Sequence, residues 1–171
     1  MRVYSPPKQK KNTAVSLVAM VCGCALFLIS YFPERYAAFI QLAAFGFWAF
    51  SLWVACRYCL TSYYYEVEGD IFRIIKVMGQ RRQVVGNISM RTGVFLEKES
   101  AAKKRPSART RFNYCSNFAP QEKYVYFFEW NGTAAEIIFE PSDEFAAIMR
   151  EHLETVKNEP APEPTNGWYD E

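Results

Sequence analysis

The sequence predicts an α-helical hairpin inserted in a membrane, followed by an α+β soluble domain. That domain is expected to be an antiparallel curved sheet, or partly open barrel, of six or seven strands closed by one C-terminal helix. Three observations lead there. Residues 13–29 and 37–56 are two long apolar runs without a charged side chain, joined by a short hinge. Residues 61–140 break into short aromatic and β-branched segments punctuated by Gly-containing turns. From residue 141 onwards the apolar spacing changes to three and four.

A bilayer core is about 30 Å thick, so a helix needs roughly 20 apolar residues to cross it. Both runs reach that length once the residues at their ends are included, giving spans at 13–32 and 36–60 and a hairpin over 13–60. A soluble core helix would show polar residues at every third or fourth position, and neither run does. The formal charge of +2 conceals an uneven distribution: residues 1–12 form a basic segment of +4, whereas residues 141–171 carry −6. Lys and Arg flanking a span are retained on the cytoplasmic side. Arg2, Lys8, Lys10 and Lys11 precede the first span and Arg57 closes the second. Both termini are therefore expected in the cytoplasm, the protein in the plasma or inner membrane, and only the hinge Phe32-Pro33-Glu34-Arg35-Tyr36 outside. A cleaved signal peptide competes for the first run, but that run is long for one and a second follows at once.

Ala19 with Gly23, and Ser51 with Ala55, are small residues four apart, which permits close helix approach. Packing of the two helices on each other is favoured over a homodimer, because sequential elements tend to be neighbours. Gln41 is able to hydrogen-bond across such an interface. Cys22 and Cys24 fall within the first run, and Cys115 stands alone. Cys56-Arg57-Tyr58-Cys59 has CxxC spacing, but there is no second CxxC and His152 is the sole histidine, so a metal or redox site lacks its ligands. Small-residue packing is the expected role, with lipidation of Cys59 as the alternative.

Residues 62–68 (SYYYEVE), 71–78 (IFRIIKVM), 82–88 and 91–98 read as four consecutive strands. Residues 99–111 (ESAAKKRPSARTR) are polar and Pro-broken, a composition that cannot bury enough apolar area to order itself. Residues 112–118 and 124–130 (YVYFFEW) resume the strand pattern, Asn131-Gly132 signals a type I′ turn, and 134–140 is the last strand. Ser142 is placed to cap a helix, with Asp143 and Glu144 in its first turn. Phe145, Ile148, Met149, His152, Leu153 and Val156 then form one apolar stripe. The soluble domain spans 61–157, and residues 158–171 are an acidic, Pro-rich segment expected to be disordered.

The opening hairpin YYYEVEGD-IFRIIKV, the hairpin YVYFFEW-NG-TAAEIIFE and the helix EPSDEFAAIMREHL together resemble a pleckstrin-homology-like domain. The whole plan is similar to small bacterial membrane proteins in which two transmembrane helices precede such a domain. The resemblance implies a helix that plugs the open end of a curved sheet. Phosphoinositide-binding members place Lys and Arg in the first hairpin loop; here that loop is Glu68-Gly69-Asp70, which repels a phosphate. No ligand residue carries over.

The residues point to binding, not chemistry. Ser89, Ser107 and Ser116 lack a nucleophile-elbow setting, the acidic residues show no paired spacing, and no phosphate-binding glycine pattern occurs. No catalytic, cofactor or metal residue is assigned, and the modestly basic domain carries only a weak nucleic-acid footprint, so no nucleic-acid partner is expected. The expected role is a membrane-anchored, non-enzymatic scaffold that holds its soluble domain at the inner membrane surface. The alternative is an accessory subunit of a transport or signalling complex that pairs through the hairpin. Candidate contacts to anionic lipid headgroups or a protein partner are Arg81, Arg82, Lys103, Lys104, Arg105, Arg109 and Arg111, since each basic group near an anionic leaflet gains about 1 kcal/mol. The sequons at Asn87 and Asn131 are chance matches in a cytoplasmic domain, and Asn131 is explained by its turn.

Overall fold

The computed structural model describes residues 2–32, 34–101, 108–130 and 132–158. The expected acidic tail from residue 159 and the basic residues Lys103, Lys104 and Arg105 lie outside them, as does Asn131.

The chain opens with a strand the sequence did not announce. β1 (Arg2–Tyr4) pairs antiparallel with β2 (Thr61–Glu68), so the basic N-terminal segment is part of the β-domain. α1 (Lys10–Ile29) and α2 (Ala37–Val54) follow, both long and apolar enough to cross a membrane by length and composition. α2 runs on through one π-helical turn, Ala55–Cys59, directly into β2. The helices lie side by side. Ser16 and Ser51 exchange hydrogen bonds, Ser51 Oγ donating to the Ser16 carbonyl at 2.7 Å. At the far end Gln41 donates to Ser30 Oγ at 3.3 Å, within the hairpin. Gly23 leaves room for the facing helix: a Cβ there would stand 2.5 Å from the Trp48 ring.

β2, β3 (Ile71–Met78) and β4 (Arg81–Ser89) form a meander that completes a first sheet in the order β1-β2-β3-β4. Its turns use Gly69 and Gly79, whose φ angles of 56° and 60° lie in the left-handed region that favours glycine. β2 alternates buried Thr61, Tyr63, Tyr65 and Val67 with half-exposed neighbours, the pattern of a sheet with one covered face. A short 3-10 turn over Met90–Thr92 carries the chain into the second sheet. That sheet contains β5 (Gly93–Lys98), β6 (Thr110–Asn113), β7 (Tyr124–Trp130) and β8 (Thr133–Phe139) in the order β5-β7-β8-β6.

Two expectations are corrected here. Seven strands, β2–β8, fall within residues 61–157, in line with the six or seven expected there, and β1 adds an eighth from the N-terminal segment. They form two sheets instead of one, and these are not closed. The arrangement is also not wholly antiparallel. β7 has β5 on one side and β8 on the other, so β6 must take the remaining side of β8, where it runs parallel.

The core lies between the sheets. Phe139 packs against Tyr65 and Phe72 with ring centroids 5.1 and 5.4 Å apart. α3 (Asp143–Asn158) closes it, burying Phe145, Ala146, Met149, Leu153 and Val156. Ser142 Oγ accepts from the Phe145 amide at 3.1 Å, the expected cap. His152 departs from the expected buried stripe. It sits one step round from the Met149–Leu153–Val156 line, half-buried, with Nε2 on the Gly69 carbonyl.

Candidate functional site

Two features of the β-domain are placed by this architecture: a buried polar junction with the hairpin, and an open cleft between the sheets.

At the junction, Asn117 is hydrogen-bonded on every side. Its Oδ1 accepts from the Gln9 amide (2.8 Å) and Asn12 Nδ2 (2.9 Å). Its Nδ2 donates to Glu140 Oε2 (2.6 Å) and the Pro7 carbonyl (3.2 Å). The Asn117 amide donates to Glu140 Oε1 at 2.8 Å, and Asn12 Oδ1 accepts from the Phe118 amide at 2.9 Å. Asn12, Asn117 and Glu140 are all buried. Burial pushes the Glu140 carboxyl above its ordinary pKa, and the Asn117 donors act against that rise. Arg57 adds a second clasp, donating to the carbonyls of Asn113 (2.9 Å) and Cys115 (3.3 Å), with its guanidinium 5.1 Å from the ring centroids of Tyr58 and Tyr63. Cys115 is buried beside it, and desolvation pushes its thiol up to about 12, so it is unreactive at neutral pH. Unpaired buried polar groups cost about 1–3 kcal/mol each. The Asn12–Asn117–Glu140 network, in which each of these side chains is hydrogen-bonded although Gln9 Oε1 is buried without a partner among the described residues, therefore holds the domain on the hairpin.

Sequence reasoning missed this junction. Asn12 carries the one available signal, an amide at the mouth of an apolar run. Nothing local marks Asn117 or Glu140, which meet only because β8 ends beside the segment after β6.

The cleft has a volume of about 400 Å³. β4 supplies residues 85–89 on one side; Phe112 and Tyr114 stand opposite, with Phe128, Trp130 and Ile137 forming the apolar floor and rim. Tyr114 Oη donates to the Val85 carbonyl at 3.2 Å and bridges the two sheets at one end. Among the described residues β4 and β6 each end their sheet, so both walls present a strand edge with one unpaired side. Trp130 is 54% exposed at the rim. Asn87, Ser89, Thr92 and Glu129 are the polar groups of the lining.

The four described members of the predicted basic set, Arg81, Arg82, Arg109 and Arg111, do not form one patch. The β3–β4 turn returns to the hairpin end, because Met78 pairs with Thr61 and Arg81 with Met78. Arg81 and Arg82 are exposed there. Arg111 lies elsewhere and is committed to Glu136 (2.9 Å) and Glu99 (3.1 Å). Arg109 is exposed at the start of β6, its amide donating to the Ala134 carbonyl at 3.0 Å. The small residues Ala19, Gly23 and Ser51 are buried along the hairpin, and Ala55 is half-buried in the π-helical turn. Among the described residues, no three His, Cys, Asp or Glu side chains are grouped to hold a metal ion. Compared with known proteins, the chain matches no family model, no curated protein and no solved structure.

Proposed function

We propose that this protein is a membrane-anchored, non-enzymatic scaffold that holds a partner polypeptide close to the cytoplasmic surface of a bacterial plasma or inner membrane. One observation carries the reading: the cleft between β4 and β6 is lined mainly by apolar side chains, and both of its walls are strand edges unpaired among the described residues. An extended segment laid there gains main-chain hydrogen bonds from an edge and pockets for alternate side chains. The junction around Asn117 supports the same reading, since it holds the cleft at a set pose above the bilayer in which α1 and α2 sit. The two sheets and the terminal helix are in keeping with a pleckstrin-homology-like domain; the parallel β6 and the added β1 depart from the expected plan. The accessory-subunit alternative has less support, because the small residues available for pairing are buried within the hairpin.

The test places a photo-crosslinking residue at Asn87 in the full chain, in native membranes, with a control at exposed Glu151 on α3. A discrete polypeptide adduct at position 87 and none at 151 is the expected result. Adducts to lipid alone, or the same smear at both positions, would sink the scaffold reading.

A further inference from the structure

We infer that the hairpin-facing end of the β-domain is a docking surface for the anionic phospholipid headgroups of the membrane that holds the hairpin. The inference rests on the reading that α1 and α2 cross a bilayer. Strand register brings the β3–β4 turn back to the level of Thr61, immediately after the last helical turn of the hairpin. Large apolar side chains are left uncovered at that level: Leu60 is 60% exposed and Met78 46%. Phe118 reaches the same zone, its ring 5.4 Å from Tyr58 and 6.4 Å from Phe50. Basic groups flank them. Arg81 and Arg82 lie at one side, exposed and without an ion-pair partner among the described residues. Lys10 and Lys11 are exposed at the start of α1, and Lys8 donates to the Cys59 carbonyl.

This is the chemistry of a headgroup layer. Apolar and aromatic side chains sink to the acyl boundary while ammonium and guanidinium groups meet phosphates. The opposite end of the same sheet has the reverse character. The Glu68-Gly69-Asp70 turn is acidic, and its arginines are used internally, Arg73 on Glu68 at 2.7 Å and Arg91 on Asp70 at 3.2 Å. The two ends of the sheet therefore differ: Arg81 and Arg82 stand without ion pairs among the described residues at the hairpin end, whereas at the other end Arg73 and Arg91 are ion-paired beside an exposed Arg2 in register with Val67. Headgroup contact also explains why an exposed Met78 is tolerated at the tip of a hairpin, where a polar residue would suit water.

The experiment uses the full chain in nanodiscs of neutral lipid, with and without anionic phosphatidylglycerol, read by amide hydrogen exchange. β4 is a sensitive probe, because its outer side lacks a strand partner among the described residues. Anionic lipid is expected to slow exchange over residues 77–84 by about tenfold. The Glu68–Asp70 turn should not change. The slowing should vanish in the Arg81→Gln/Arg82→Gln double variant and in high salt. Equal exchange in both lipids, in protein that still co-elutes with the discs, overturns the docking surface and leaves the membrane anchor standing. Protein that fails to enter the discs overturns both. Slowing reproduced by inorganic phosphate with neutral lipid would mark a free-anion site and also overturn the inference.

Discussion

Replacing Asn117 with leucine is expected to destabilise the protein by about 3–5 kcal/mol. The substitution strands the Gln9 amide and Glu140 Oε2 in a buried site and leaves Asn12 Nδ2 only its 3.5 Å contact with the Tyr58 carbonyl. Each such loss costs about 1–3 kcal/mol before relaxation, while the backbone amide of residue 117 still donates to Glu140 Oε1. Unfolding of the full chain in detergent, followed by near-ultraviolet circular dichroism, measures the cost. A loss below about 1 kcal/mol would mean that the network does not hold the junction together. The pH dependence gives an independent reading. Because burial raises the folded-state pKa of Glu140 above the usual 4.5, the folded state binds that proton more tightly than the unfolded one. This group's contribution to stability therefore falls as pH rises from 4.5 through the raised value. The Asn117 Nδ2 donor opposes the rise, so its loss pushes the folded pKa higher still. The gap between variant and parent should thus widen with pH across that window and narrow below it. A gap that stays constant from pH 4 to pH 8 would show that Asn117 does not support the Glu140 carboxylate.

Gly93→Ala is expected to cost about 2–3 kcal/mol, the upper part of the range for overpacking a filled core. Its backbone φ of −70° accepts any residue, so conformation is not the obstacle. Space is. A Cβ at position 93 would stand 2.2 Å from Tyr126 Oη and 2.7 Å from Leu153 Cδ1, so β5, β7 and α3 would all have to give. Tyr126 is fully buried, and its hydroxyl has no hydrogen-bond partner among the described residues. Tyr126→Phe should therefore be neutral or stabilise by up to about 1 kcal/mol, since it removes a desolvated polar group. The two changes should couple. Deleting the hydroxyl removes the nearest clash, and Gly93→Ala in the Tyr126→Phe background should cost at least about 1 kcal/mol less than alone. Additive costs would mean that the strand shifts away from Tyr126 instead of colliding with it.

The basic residues show which part of the candidate site is written in the sequence. Seven side chains were singled out from composition and position. Register brings Arg81 and Arg82 to the hairpin end, whereas Arg111 is drawn to Glu136, a buried carboxylate on the neighbouring strand. Charge is visible in a sequence; a partner from a distant strand is not. The cleft was wholly hidden, because its walls come from strands far apart in the chain and its edges exist only through strand order.

What the sequence determined by itself was whatever depends on neighbours along the chain. Apolar runs of sufficient length make α1 and α2, period-two alternation makes β2, and a capped three-four spacing makes α3. Gly69 and Gly79 set tight turns because few other residues adopt positive φ. The tertiary structure alone decided β1, the parallel seat of β6, the half-exposed place of His152 and the four-way bonding of Asn117. Each of these rests on a partner more than twenty residues away, whose benefit appears only after the chain between has been ordered. Local sequence carries no trace of such a contact, because the interaction free energy belongs to the pair and not to either residue.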